Sequence, residues 1–102
     1  MFERFTEQAR RTLFFARFEV TQLGATMIEP EHILLGLFRE PKGVVARIFE
    51  QSGLSTAELS VEIADRHEFH ERIPQSQEVP FSTETKRVLS YAAEEADRLT
   101  HS

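Results

Sequence analysis

Residues Glu29–Glu40 read EPEHILLGLFRE. Ile33, Leu34, Leu35, Leu37 and Phe38 fall within six consecutive positions. A helix turns about 100° per residue, so these side chains point almost all the way round its axis. A helix that is apolar on nearly every side is a central one, and the rest of the chain is expected to wrap it. Its opening, Glu29-Pro30-Glu31-His32, is polar and marks an N-terminus. Pro30 suits the first helical position, where a missing N–H loses nothing. Glu29 as N-cap complements the helix dipole. The first-turn N–H groups lack helical partners, so this opening is the edge of the helix expected to face a ligand.

The flanking segments read as further helices. Thr6 is an N-cap, and Ala9, Leu13, Ala16, Val20 and Leu23 follow at spacings of 4, 3, 4 and 3, a single helical stripe over residues 7–23 that Gly24 ends. Phe14, Phe15 and Phe18 lie off that stripe, so part of this helix is expected to offer an apolar surface to something else. Arg10, Arg11 and Arg17, interspersed with Glu, read as a solvated face. Beyond the central helix, Pro41-Lys42-Gly43 is a turn. A helix over about 44–52 turns Val45, Ile48 and Phe49 inward and stops at Gly53. Ser55 and Glu58 form a capping box for a helix reaching about Arg66, with Leu59 and Ile63 four apart. Residues 67–80 show no periodicity and read as a linker. Phe81-Ser82 then opens a helix over 83–99, on which Leu89, Ala92, Ala96 and Leu99 form the docking stripe. The fold class is all-α, with about five helices.

Composition narrows the function. The 102 residues suit one small domain. A net charge of −5 argues against general nucleic-acid binding, which needs a basic surface. There is no cysteine, hence no disulfide framework and no thiolate metal site. The longest apolar run is too short to cross a bilayer, and the charged start MFERFTEQARR has no signal-peptide core. These features favour a cytoplasmic protein. No nucleophile–base constellation or Gly-rich phosphate loop is present, so neither catalysis nor ATP hydrolysis is expected of these residues, and no cofactor. Glu29-x-x-His32 and the HEFHE run at 67–71 lack the order and the companion ligands of known metal helices.

The first and last helices share a template. At an offset of 76, Phe5/Phe81, Arg11/Arg87, Leu13/Leu89, Ala16/Ala92, Glu19/Glu95 and Leu23/Leu99 are identical, and Thr6/Ser82, Arg10/Lys86 and Phe15/Tyr91 are conservative. This is an internal repeat. Residues 1–66 form a first four-helix unit, 67–80 the linker, and 81–102 the first helix of a second, truncated unit. Three arrangements follow: a fragment of a longer chain, a last helix that caps the first unit, or two chains sharing parts. The last two predict docking of that helix on the core of its own chain or of a partner, and homo-oligomers are expected.

FERFTEQARRTL, EHILLGLFRE, Gly43-Val44-Val45-Ala46 and PFSTETKRVL together resemble the N-terminal repeat domain of Clp-type AAA+ unfoldases, the ClpC branch above all. The resemblance covers nearly the whole chain and implies two four-helix repeats. It also implies a non-catalytic role: binding substrate proteins and adaptor proteins for a Clp AAA+ ring and its peptidase. A stand-alone adaptor or accessory subunit of a Clp protease is the alternative. In the ClpC branch, substrates include arginine-phosphorylated proteins. The resemblance places Glu31 at the guanidinium-binding position with Lys86 near it. It places Phe2, Phe5, Leu13, Phe14, Phe81, Lys86 and Leu89 at a corner that engages peptide-like ligands. The candidate set is thus Phe2, Arg10, Leu13, Phe14, Glu31, Phe81, Lys86 and Leu89. Three features depart from the family pattern. Glu29-Pro30 replaces Gly-Thr and so removes a hydroxyl and adds a negative charge. Pro41-Lys42-Gly43 replaces Gly-Glu-Gly, and a second EHILLGL is absent.

Overall fold

A computed structural model describes residues 5–40, 44–66, 73–74 and 78–100. Among the described residues there are five helices: α1 (Glu7–Leu23), α2 (Pro30–Arg39), α3 (Val44–Gln51), α4 (Thr56–Asp65) and α5 (Thr83–Thr100). The all-α reading holds. The punctuation is as the sequence dictates. The Thr6 hydroxyl accepts the Ala9 N–H at 3.1 Å. Gly24 closes α1 with a left-handed φ of 71°. Ser55 caps α4 by accepting the Glu58 N–H at 3.2 Å.

The start of α5 is capped by two buried hydroxyls. Buried Ser82 accepts the Thr85 N–H at 3.1 Å, and the two hydroxyls lie 2.9 Å apart. Ser82→Ala leaves a buried N–H and a buried hydroxyl each short of a partner. It is expected to cost about 2 kcal/mol, the upper end for a lost cap, read from thermal melts.

α2 touches each of the other four helices, which makes it the hub of the fold. It is not fully enclosed, however. His32, Leu35 and Gly36 are buried, while Ile33, Leu34, Leu37 and Phe38 are half-buried. Its closest neighbour is α1. A Cβ placed on Gly36 would lie 2.3 Å from the Thr12 carbonyl oxygen and 3.0 Å from the Ala16 nitrogen. Two ion pairs lock this crossing. Arg11 on α1 donates to Glu40 at 2.9 and 3.3 Å, a bidentate fork onto a carboxylate that is 2% exposed. Arg39 pairs with Glu19 and lies over the Phe18 ring, 4.8 Å from its centroid. Arg11 is therefore a docking residue and not part of a solvated face.

The core gathers Ala16 and Val20 of α1 with Ile28 and Val79 from the extended segments preceding α2 and α5. The Ile28 N–H donates to the Pro80 carbonyl at 2.8 Å, and the Ser82 N–H to the Ile28 carbonyl at 3.1 Å, forming a single parallel bridge between Ile28 and Phe81. Ile73 packs on the same cluster, and its N–H donates to the Thr21 carbonyl at 3.1 Å. Within 67–80, Ile73 and Val79 thus pack against the core, while Pro74, Glu78 and Pro80 are exposed. Two further expectations are corrected. On α3, Val45 and Phe49 turn inward, and Phe49 meets Phe38 edge-on at 5.2 Å, but Ile48 is 52% exposed. On α5, Leu89 alone of the four stripe residues is buried; Ala92 and Ala96 are exposed, and Leu99 is 69% exposed.

Candidate functional site

Two features could serve recognition: the paired starts of α2 and α5, and a groove between α1 and α5. The Ile28–Phe81 bridge lies just ahead of both helices, so their first turns leave from one clamp. Glu31 sits half-buried in the first turn of α2, and Lys86 is exposed near the start of α5. The opening of α2 is already hydrogen-bonded to itself. His32 is fully buried, and its Nδ1 accepts the Glu29 N–H at 2.8 Å, which places the neutral ring's proton on Nε2. The His32 and Ile33 N–H groups donate back to the Glu29 carbonyl at 2.9 and 3.3 Å. Pro30 has no N–H. Fewer backbone donors therefore await an anion here than a bare helix start supplies. His32 is the structural residue that its position suggests.

The groove is the larger feature, about 670 Å³, and its walls are mostly apolar. Phe5, Ala9 and Leu13 line it from the α1 side, Val88, Leu89 and Ala93 from α5, and Ile33 and Leu37 of α2 contribute as well. It brings together Phe5, Leu13 and Leu89 of the expected peptide-binding corner. It does not gather the rest. Phe81 is half-buried and packs against the Ile28–Val79 core. Phe14 is 62% exposed, meets Phe15 edge-on at 6.0 Å, and is not among the groove residues. Arg10 is exposed on α1. Phe2 lies outside the described residues. Val88, Ala92, Ala93 and Leu37 were missed as groove residues. The signal that could have found them is the repeat, because Val88 and Ala92 occupy the template positions of Thr12 and Ala16.

Arg11 is held in its charged form by its partner across the crossing. Its hydrogen bond to Glu40 raises the guanidinium pKa above the ordinary value, outweighing the opposite pull of burial. Among the described residues no group of three His, Asp or Glu gathers as a metal site, and no helix is long and apolar enough to cross a membrane.

A five-helix unit built on a repeated helix template, with an open apolar groove, defines a helical-repeat binding module. The chain belongs to the Clp repeat N-terminal domain family, whose pattern matches residues 4–102. It is 35% identical over 102 residues to the negative regulator of genetic competence ClpC/MecB of Bacillus subtilis, covering 100% of this chain and 12% of that protein. It is 36% identical over 104 residues to the chloroplastic chaperone protein ClpC1 of Oryza sativa subsp. japonica, covering 99% of this chain and 11% of the relative. The crystal structure of the N-terminal domain of the chaperone ClpD from Arabidopsis thaliana superposes with a TM-score of 0.74 at 33% identity, over 98% of this chain and 69% of that one. The chain thus spans about a ninth to an eighth of these full-length relatives.

Proposed function

We propose that this domain recruits substrate proteins or adaptors to a Clp AAA+ unfoldase, taking apolar segments into the α1/α5 groove. The observation that carries this reading is the groove itself: some 670 Å³, open to solvent, with Leu13, Leu37 and Leu89 as fixed apolar contacts on three helices. Such a surface accepts side chains of an unfolded segment without requiring a particular sequence. Among the relatives is an ATP-binding subunit of an ATP-dependent Clp protease from Brassica napus. In such an assembly the ATPase belongs to other domains, and this one does no chemistry. The stand-alone alternative, an adaptor acting in trans, uses the same groove. The cytoplasm is the compartment that goes with either reading.

The test is an NMR titration of the labelled domain with a permanently unfolded apolar peptide. Chemical-shift changes are expected on both groove walls. Leu13→Glu, which introduces a charge where the groove is apolar, is expected to weaken binding by about tenfold or more while far-UV circular dichroism stays unchanged. Shift changes elsewhere, or undiminished binding by the variant, would remove the groove from the function. The same titration with phosphoarginine reports on Glu31 and Lys86, the residues that the resemblance to the ClpC branch assigns to an arginine-phosphorylated substrate. Glu31→Ala is expected to abolish any response there.

A further inference from the structure

His32 is a titratable group closed inside the fold, and neither recognition feature uses its ring. It is 0% exposed, and its Nδ1 accepts the Glu29 N–H at 2.8 Å. It stands at the third helical position of α2, where a capping box ordinarily carries Glu or Gln. A carboxylate or amide there accepts the cap N–H down to about pH 5. Imidazole accepts it only while Nδ1 carries no proton. An imidazolium sets one N–H against the Glu29 N–H and holds its charge away from water. The closed turn therefore takes up a proton only at a pH below imidazole's ordinary value of about 6.5.

The turn is fixed on both sides. Before it, Ile28 is buried in the core and bridged to Phe81. After it, Gly36 lies against the α1 backbone. His32, Gly36 and Glu40 are spaced by four, so they share the face of α2 that meets α1. His32 and Glu40 are the two buried ionisable side chains among the described residues, and Arg11 holds Glu40. The other charges on the elements packed against α2 lie at the surface or are paired. On α1, Glu19 pairs with Arg39, Glu7 and Arg10 are exposed, and Arg17 is half-buried. Arg47 and Glu50 on α3, Glu58, Glu62 and Asp65 on α4, and Glu84, Lys86 and Arg87 at the start of α5 are exposed. Nearest in the chain are Glu29 and Glu31, both half-buried. Their negative charge favours an imidazolium beside them, which burial refuses. An opened first turn satisfies both, because the ring then reaches water with the two carboxylates still next to it.

We propose that His32 is an acid-sensitive latch on the first turn of α2, and that proton uptake by its ring opens residues 29–33 while the rest of the helices stay folded. Closure of the turn is at full strength above about pH 6.5 and weakens as the pH falls below that value. One proton enters with each opening, so the opening constant rises about tenfold per pH unit in that range. The turn carries Glu31 and the groove residue Ile33, so its opening removes an edge from both candidate recognition features. That consequence rests on the recruitment reading above; the latch itself does not.

Amide hydrogen exchange followed by NMR on the whole chain tests the latch. After correction for intrinsic rates, the opening constants of the Glu29 and Ile33 amides are expected to rise about tenfold between about pH 6 and about pH 5, above the range near 4 where carboxylates ordinarily titrate. The Val20 amide, on the core helix, is expected to stay at least about tenfold better protected. His32→Gln keeps the acceptor of a capping box and has no ring to titrate, so the rise is expected to vanish while His67, His70 and His101 remain. Opening at Glu29 that ignores pH, a rise that survives His32→Gln, or a loss of protection at Val20 in step with Glu29 overturns the proposal. Should the variant not fold, the ring nitrogen shifts of His32 in the unaltered protein decide. Protonation that tracks the opening of Glu29 supports the latch, and protonation without it refutes the latch. Peptide binding in the groove enters none of these readouts, so the latch and the recruitment reading fail separately.

Discussion

Gly36→Ala is expected to cost far more stability than the same exchange at Gly53. In most exposed helix interiors the exchange is favourable by about 1 kcal/mol, because alanine restricts the unfolded chain and suits the helix. Here the added Cβ meets the Thr12 carbonyl oxygen at 2.3 Å and the Ala16 nitrogen at 3.0 Å. Both are backbone atoms of α1, so no side chain can rotate away. The helices must separate, and separation loosens the Ala16–Val20 core and stretches the Arg11–Glu40 fork. We expect a net loss of about 3 kcal/mol, the upper end for overpacking. For a domain of this size that lowers the melting temperature by more than about 12 °C. Gly53→Ala is the control. Gly53 has no atom within 4 Å of its added Cβ but holds a φ of +76°. Its cost is the backbone term alone, about 1 kcal/mol. Equal losses at the two sites would show that helix separation is not what Gly36 prevents.

Helix placement was legible because it rests on local chemistry. Caps at Thr6 and Ser55, Pro30 at the first turn and Gly24 at a last turn act within four residues of themselves, and all four do in the structure what their types dictate. What the sequence hid is long-range. The Ile28–Phe81 bridge is two backbone hydrogen bonds between segments with no periodicity, so nothing marks Val79 or Ile73 as core. Glu40, beside a proline at the end of a helix, looks like a solvated carboxylate. Its partner Arg11 is 29 residues away in a run of arginines that also looks solvated. Gly36 sits inside the apolar run, and nothing local marks it as the point where α2 meets the α1 backbone.

The candidate site was legible in part, for the same reason. A stripe such as Leu89, Ala92, Ala96 and Leu99 shows that a helix has a docking face; it does not show that anything lies on it. Three of the four are exposed. Between that helix and the first lies the groove, which Leu13 and Leu89 both line. Phe81 looked like an aromatic anchor for a ligand, but its place beside the bridge makes it part of the core. Exposure of an aromatic depends on which segments return over it, and that is set by pairing across the chain rather than by its neighbours in sequence.

The second large effect is expected at the Arg11–Glu40 fork, and its signature is asymmetry. Arg11→Met removes the bidentate donor from a carboxylate that has almost no contact with solvent, and a buried charge that loses its partner is strongly destabilising. The expected fall in melting temperature is about 10 °C or more. Glu40→Leu removes the buried charge itself. It leaves an arginine whose side chain is 37% exposed and can turn into water, so the loss is smaller. Arg11→Met combined with Glu40→Leu is then expected to melt close to the Glu40→Leu protein, well above the sum of the two single losses. That non-additivity measures the coupling directly. Additive losses would mean that the two side chains stabilise α1 and α2 independently. The effect should also be flat across neutral pH. Because the Arg11 pKa is raised on folding, its contribution is fully present below the guanidinium's ordinary value and is lost only as the pH climbs through the folded one, far into the alkaline range. Arg98→Ala, which removes an exposed pair within α5, should leave the melting temperature unchanged within error, because a solvated pair gives up little when broken.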